Sequence, residues 1–199
     1  MLKKLWLVRH ARPLVDDGIC YGATDVAADA PATTQLAQWL ASGIALNAEV
    51  LSSPLQRCLL VTTQLQSLRP DLHIRVDVRL SEMNFGVWEG VPWAQIPPHA
   101  LQDWTDNFAD HKFGGVESAN DVLQRVATLW DACDENTSDQ VWITHAGVIR
   151  AASLLAAGRL RVEQASDWPS APIPYGACFA LSESGLSPIP LTAQCGTSE

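Results

Sequence analysis

Val141-Trp142-Ile143-Thr144-His145-Ala146-Gly147 reads as a buried strand, a tight turn and the first turn of a helix. Three successive large apolar residues suit a strand covered on both faces. The glycine allows the close backbone approach that such a turn needs. Val148, Ile149, Ala152 and Leu155 mark the following helix, which Gly158 stops. That helix would aim its free N–H groups at the strand end, where His145 sits, and so offer an anion site.

The same alternation runs through the chain. Leu5–Val8 is a short apolar run that ends on Arg9 and His10. Glu49–Ser52 and His73–Val76 read as further strands, and Cys178–Leu181 as a last, edge strand. Between them lie amphipathic helices. One carries Leu36, Trp39 and Leu40, after Thr33 and Thr34 as cap and before Gly43 as stop. A second carries Leu55, Cys58, Leu59, Thr62 and Leu65. The longest runs from Ala119 through Val122, Leu123, Val126, Leu129 and Trp130 to Cys133, with Ser118 as cap and Asp121 three residues on. Strands alternating with helices predict an α/β fold of three layers, a mainly parallel central sheet flanked by helices. Ligands of such sheets bind beyond the C-terminal strand ends. Arg9-His10, Ser52-Ser53 and Thr144-His145 all fall there.

Residues 80–116 lose the periodicity. They hold Trp88, Trp93, Trp104, Pro92, Pro97, Pro98 and Gly114-Gly115. The stretch is too long for a plain connection and is expected to be an insertion of short helices and loops capping the cleft. Its tryptophans suit cleft packing, or else stacking on a substrate ring. The Ser-, Pro- and Gly-rich tail from about Ser182 is expected to be loose. The 199 residues are expected to form one domain.

Composition excludes several classes. Formal net charge is −9 and no basic stripe appears, so no nucleic-acid surface is expected. The same charge favours a small or singly phosphorylated metabolite over a polyanion. No stretch approaches a membrane span, and the apolar run of Leu5–Val8 is too short for a signal sequence. The five cysteines, Cys20, Cys58, Cys133, Cys178 and Cys195, form no CxxC or metal-type cluster. Cys58 and Cys133 lie on apolar helix faces and are expected as buried thiols, in keeping with a cytoplasmic protein. The chain has no phosphate-binding P-loop, no HExxH and no acidic metal loop. Phosphate handling is therefore left to Arg and His, with no metal and no cofactor. Oligomeric state leaves no signal in the sequence.

Arg57 is the sharpest local clue. Ser53 reads as a helix cap, Pro54 as the first helical residue, and Gln56 as completing a Ser-x-x-Gln capping box. That places Arg57 in the first turn, where the helix dipole disfavours a cation by roughly 0.3–1 kcal/mol. A bound anion would reverse the balance. Arg9 and Arg57 can each donate paired N–H bonds to one phosphate, and a neutral His can attack its phosphorus. Glu82 is the best donor for the leaving oxygen, because the aromatic stretch after it would desolvate it and raise its pKa. Glu89 is the rival, read as a solvated surface carboxylate. His73, His99 and His111 read as surface residues.

At this point five motifs, in order, resemble those of the histidine phosphatase superfamily, the phosphoglycerate mutase-like group. They are Leu7-Val8-Arg9-His10-Ala11, Ser52 to Cys58, Glu82 with Phe85-Gly86-Val87-Trp88-Glu89-Gly90, Gly114 to Ser118, and Thr144 to Arg150. The resemblance implies that His10 is the nucleophile and Glu82 the proton donor, with Arg9, Arg57 and His145 holding the phosphate. It also places Tyr21-Gly22 where the family makes backbone contacts to phosphate. Ala11 replaces the signature glycine, and would be strained if that position needs φ > 0. The compact length and the Phe-Gly-x-Trp-Glu-Gly run resemble the alpha-ribazole phosphatase branch. The implied activity is a metal-independent phosphomonoesterase. A phosphomutase using the same phosphohistidine and a non-catalytic phosphate-binding module are the alternatives.

Overall fold

The computed structural model describes residues 5–134, 139–182 and 185–190, without the side chains of residues 133 and 134. Its strands are β1 (Leu5–Arg9), β2 (Glu49–Ser52), β3 (His73–Val76), β4 (Gln140–Thr144), β5 (Cys178–Ser182) and β6 (Gly185–Ile189). Its α-helices are α1 (Ala30–Gly43), α2 (Gln56–Leu68), α3 (Pro98–Asp106), α4 (Ala119–Asp134) and α5 (Ala146–Ala156). One sheet joins the strands in the order β3-β2-β4-β1-β5-β6. The first four in that order run parallel, while β5 and β6 are antiparallel. The sheet is mainly parallel, as expected.

Side-chain alternation builds the layers. Val8, Val50, Val141, Ile143 and Cys178 point to one face and pack with Leu36, Leu40, Val61 and Leu65 of α1 and α2. Leu7, Leu51, Trp142 and Phe179 point to the other and pack with Val122, Val126, Ile149 and Ala152 of α4 and α5. Strands β1, β2, β4 and β5 are thus apolar on both faces, as a sheet between two helical layers requires of its inner strands.

Three local expectations change. β5 is not the edge strand, because β1 flanks it on one side and β6 on the other. The tail expected to be loose from Ser182 instead supplies β6; residues 183–184 and 191–199 lie outside the described residues, with Cys195 among them. Helix α1 starts earlier than Thr33 and Thr34 suggest. Asp29 is its cap, its carboxylate accepting from the Ala32 N–H at 2.8 Å. The two threonine hydroxyls bond back to the carbonyls of Asp29 and Ala30.

Helix α2 also begins differently. Leu55 occupies the cap position, so the predicted capping box does not form. Asp25, from a distant loop, takes over and accepts from the Gln56 N–H at 2.6 Å. Ser53 is thereby left for another task. At α4 the capping expectation holds: Ser118 and Asp121 each bond the other's backbone N–H, at 3.0 and 3.1 Å.

The insertion packs around Phe113. Trp104 stacks on that ring at 4.4 Å and Trp93 lies parallel to it at 6.0 Å; Trp88 adjoins it and Phe85 meets it edge-on. All three tryptophans are half-buried in this cluster. Backbone bonds tie the insertion to the 18–20 loop, with Cys20 N–H reaching Val91 O at 2.9 Å and Trp93 N–H reaching Gly18 O at 2.8 Å. Among the described residues, no helix is long and apolar enough to cross a membrane.

Candidate active site

Adjacent parallel strands bring the two histidines together. Arg9 of β1 is in register with Thr144 of β4, so His10 and His145 leave the sheet side by side. The His10 N–H closes the ladder on Thr144 O at 3.1 Å. Their ring centroids are 4.9 Å apart, and the residues are 2% and 0% exposed.

Arg57 joins them. Its Nε lies 3.2 Å from both His10 Nε2 and His145 Nδ1. A guanidinium only donates, so both of those ring nitrogens are acceptors and each ring carries its proton on the other nitrogen. His10 Nδ1–H then donates to Ala11 O at 2.7 Å. His145 Nε2–H donates to Ser53 Oγ at 2.8 Å. Ser53 therefore orients the second histidine instead of capping α2. The Cys58 thiol, fully buried as expected, lies 3.6 Å from the same nitrogen.

Both imidazoles are held neutral. Burial, then the Arg57 and Arg9 charges, pull His10 from the usual 6.5 down to about 3, against a smaller upward push from Ala11 O. Burial, followed by the Arg57 charge and the neighbouring His10, holds His145 well below its ordinary value. His10 Nε2 therefore presents a lone pair at neutral pH.

Arg57 is fully buried and anchors a loop. Its Nη1 donates to Thr24 O at 2.8 Å and its Nη2 to Gly22 O at 2.5 Å. The same loop's N–H groups go elsewhere. Gly22, Ala23 and Thr24 N–H all reach the Glu89 carboxylate at 2.9–3.0 Å, with the Thr24 hydroxyl and the Phe85 N–H. Glu89 is thus not the surface carboxylate expected from sequence. Burial pushes its carboxyl up, but these donors together outweigh that and hold it below the usual range. The Gly22 N–H, a candidate phosphate contact, is committed to Glu89. Gly22 is required for another reason: a Cβ there would come within 1.9 Å of Met83 O.

Glu82 occupies the start of α5. Gly147 N–H donates to its two carboxylate oxygens at 3.1 and 3.2 Å. The group met by that helix end is therefore the Glu82 carboxyl itself. A Cβ at Gly147 would lie 2.3 Å from Glu82 Oε1, so only glycine admits this contact.

Arg9 completes the group. Its Nη1 donates to Ile173 O, while its Nε is buried with no hydrogen-bond partner. Its guanidinium lies 3.9 Å over the Tyr175 ring, and the Tyr175 hydroxyl meets the Tyr21 hydroxyl at 2.7 Å. Tyr175 gave no sequence signal; only its place just before β5 bears on the site. Ala11 is unstrained, since Asn47 is the one described non-glycine residue with positive φ. His73 and His99 are exposed and His111 is half-buried, none of them at the site. Among the described residues, no three His, Cys, Asp or Glu side chains gather as metal ligands.

The model of the histidine phosphatase superfamily (branch 1) matches residues 5–173. The chain is 34% identical over 134 residues to the glucosyl-3-phosphoglycerate phosphatase of Mycobacterium tuberculosis, covering 61% of this chain and 57% of that protein. The match thus spans little more than half of that relative's length. A solved structure of mycobacterial glucosyl-3-phosphoglycerate phosphatase with VO3 is 25% identical, with a TM-score of 0.75, covering 94% of this chain and 98% of that one. The fold is shared too with phosphoserine phosphatase from Entamoeba histolytica in complex with 3-phosphoglyceric acid, at 18% identity and a TM-score of 0.74, covering 94% and 95% of the two chains.

Proposed function

Because this chain belongs to the histidine phosphatase superfamily, we propose that it is a phosphomonoesterase that hydrolyses a small phosphorylated metabolite through a phosphohistidine on His10. One observation carries the reading. His10 Nε2, stripped of its proton by the Nδ1–H bond to Ala11, faces the same Arg57 Nε that faces His145.

The phosphoryl group lies among Arg9, Arg57, His10 and His145, with the unpartnered Arg9 Nε as one donor to its oxygens. The guanidinium groups stabilise the charge that spreads over those oxygens in the transition state. His10 Nε2 attacks phosphorus and the P–O bond to the leaving group breaks. Protonated Glu82 gives its proton to that oxygen, and the alcohol departs. Glu82 carboxylate then takes a proton from water, whose oxygen attacks phosphorus. The P–N bond breaks, releasing inorganic phosphate, neutral His10 and protonated Glu82. Glu89 takes no part, because its oxygens are engaged by the 22–24 loop.

Residues 1–199 act as one domain in this reading. Buried, unpaired Cys20, Cys58 and Cys178 favour a cytoplasmic setting. Alpha-ribazole 5'-phosphate belongs to the proposed substrate class.

The test is a rapid quench after mixing with a labelled phosphomonoester. An acid-labile, alkali-stable phosphoryl group on His10 is expected, with release of inorganic phosphate and no transfer to a second hydroxyl. Turnover that survives in a His10→Ala protein would overturn the assignment.

A further inference from the structure

We infer that a second cavity, beside the phosphate site, holds the leaving group and selects an uncharged, hydroxyl-bearing one over a carboxylated one; this rests on the phosphatase reading. The cavity has a volume of about 120 Å³, and its lining includes Arg12, Asp16, Asp17, Ile19, Tyr21 and Tyr175.

Its place follows from the two tyrosines. The Tyr175 ring lies 5.8 Å from the His10 ring and 3.9 Å from the Arg9 guanidinium. The Tyr21 ring lies 5.7 Å from the Arg57 guanidinium. Their hydroxyls, 154 residues apart in sequence, bond to each other at 2.7 Å. The pair therefore touches both phosphate-binding arginines while lining the outer cavity. The leaving group of a phosphoester seated on His10 then passes this pair into the cavity.

The chemistry of the wall decides what it accepts. Its one cation, Arg12, is paired to Asp17 at 2.8 Å, which leaves Asp16 without an ion pair among the described residues. Two carboxylates against one occupied guanidinium repel a carboxylate on the substrate. They accept hydrogen bonds from hydroxyls, and the tyrosine hydroxyls donate or accept as required. Burial, then the bond to Tyr175, push the Tyr21 phenol upward, so it keeps its proton at any working pH. The tyrosine faces also suit the C–H face of a small polyol.

The test is a set of equilibrium affinities for glycerol 1-phosphate, ribose 5-phosphate and 3-phosphoglycerate on the His10→Gln protein, which holds ligand without turnover. Should that variant not fold, inhibition constants against p-nitrophenyl phosphate hydrolysis by the unaltered protein give the same order. Both hydroxylated esters are expected to bind at least about 10-fold more tightly than 3-phosphoglycerate, and Asp16→Lys/Asp17→Lys to lower that ratio by about 10-fold. Asp16 and Asp17 are exposed, so the double variant leaves the core intact. Equal or tighter binding of 3-phosphoglycerate, or a ratio indifferent to the lysines, would overturn the inference. The affinity order without turnover of any ester defeats the phosphatase reading and leaves the cavity's role standing; turnover without the order does the reverse.

Discussion

Arg57 and Glu89 hold one short loop from opposite directions: the guanidinium takes the carbonyls of Gly22 and Thr24, and the carboxylate takes the N–H groups of Gly22, Ala23 and Thr24. The loop links the two charges, a fully buried guanidinium and a half-buried carboxylate. Glu89→Gln turns part of the acceptor into a donor that faces other donors. The expected loss is about 2–3 kcal/mol of stability, read from urea unfolding, because hydrogen bonds to a charged group are the strong ones. Activity should fall with it, since the loop positions Arg57.

Acid should weaken the fold through the two buried imidazoles. His10 binds its proton near pH 3 when folded and near 6.5 when unfolded. Between those values the unfolded chain holds more protons, so stability is full above about pH 6.5 and drains as the pH falls. Each such histidine contributes at most about 1.4 kcal/mol per pH unit in that window. Unfolding free energies at pH 7, 6 and 5 should decline, and His10→Asn should flatten part of the slope. An unchanged slope in that variant would count against a buried, neutral His10.

Gly147→Ala separates chemistry from stability. Its added Cβ meets Glu82 Oε1 at 2.3 Å, but Gly147 has no positive φ to strain. The expected result is a kcat lower by about 10- to 100-fold, the range of a displaced general acid, with KM little changed. Thermal stability should hold, since alanine is the better helix former. A parallel loss of melting temperature would point to a merely structural effect.

Arg57→Lys tests the bridging nitrogen. A lysine has one charged nitrogen and cannot meet both imidazoles and two carbonyls at once. A fall in kcat/KM of about 100- to 1,000-fold is expected, comparable with losing a positioned oxyanion donor. Steady-state kinetics with p-nitrophenyl phosphate would measure it.

How much of this was readable in the chain depends on distance along it. Strand ends and their His and Arg residues follow from local pattern, and the structure brings His10, Arg57 and His145 together. The cap of α2 was misread because Asp25 lies 31 residues before its partner, Gln56. Glu89 was misread for the same reason: its loop partners lie 65–67 residues away, and no local spacing reports them. Tyr175 sits between Pro174 and Gly176, in a turn with no periodicity, so only tertiary structure ties it to Arg9.

The insertion supplies both Glu82, seated on α5, and Glu89, seated on the 22–24 loop. It is therefore not a detachable accessory. Transplanting the corresponding segment from a relative, to retarget the catalyst, would remove the proposed proton donor and a brace in one cut. A successful graft has to bring its own pair of carboxylates in the same register, or the recipient inherits a new lid over a dismantled centre.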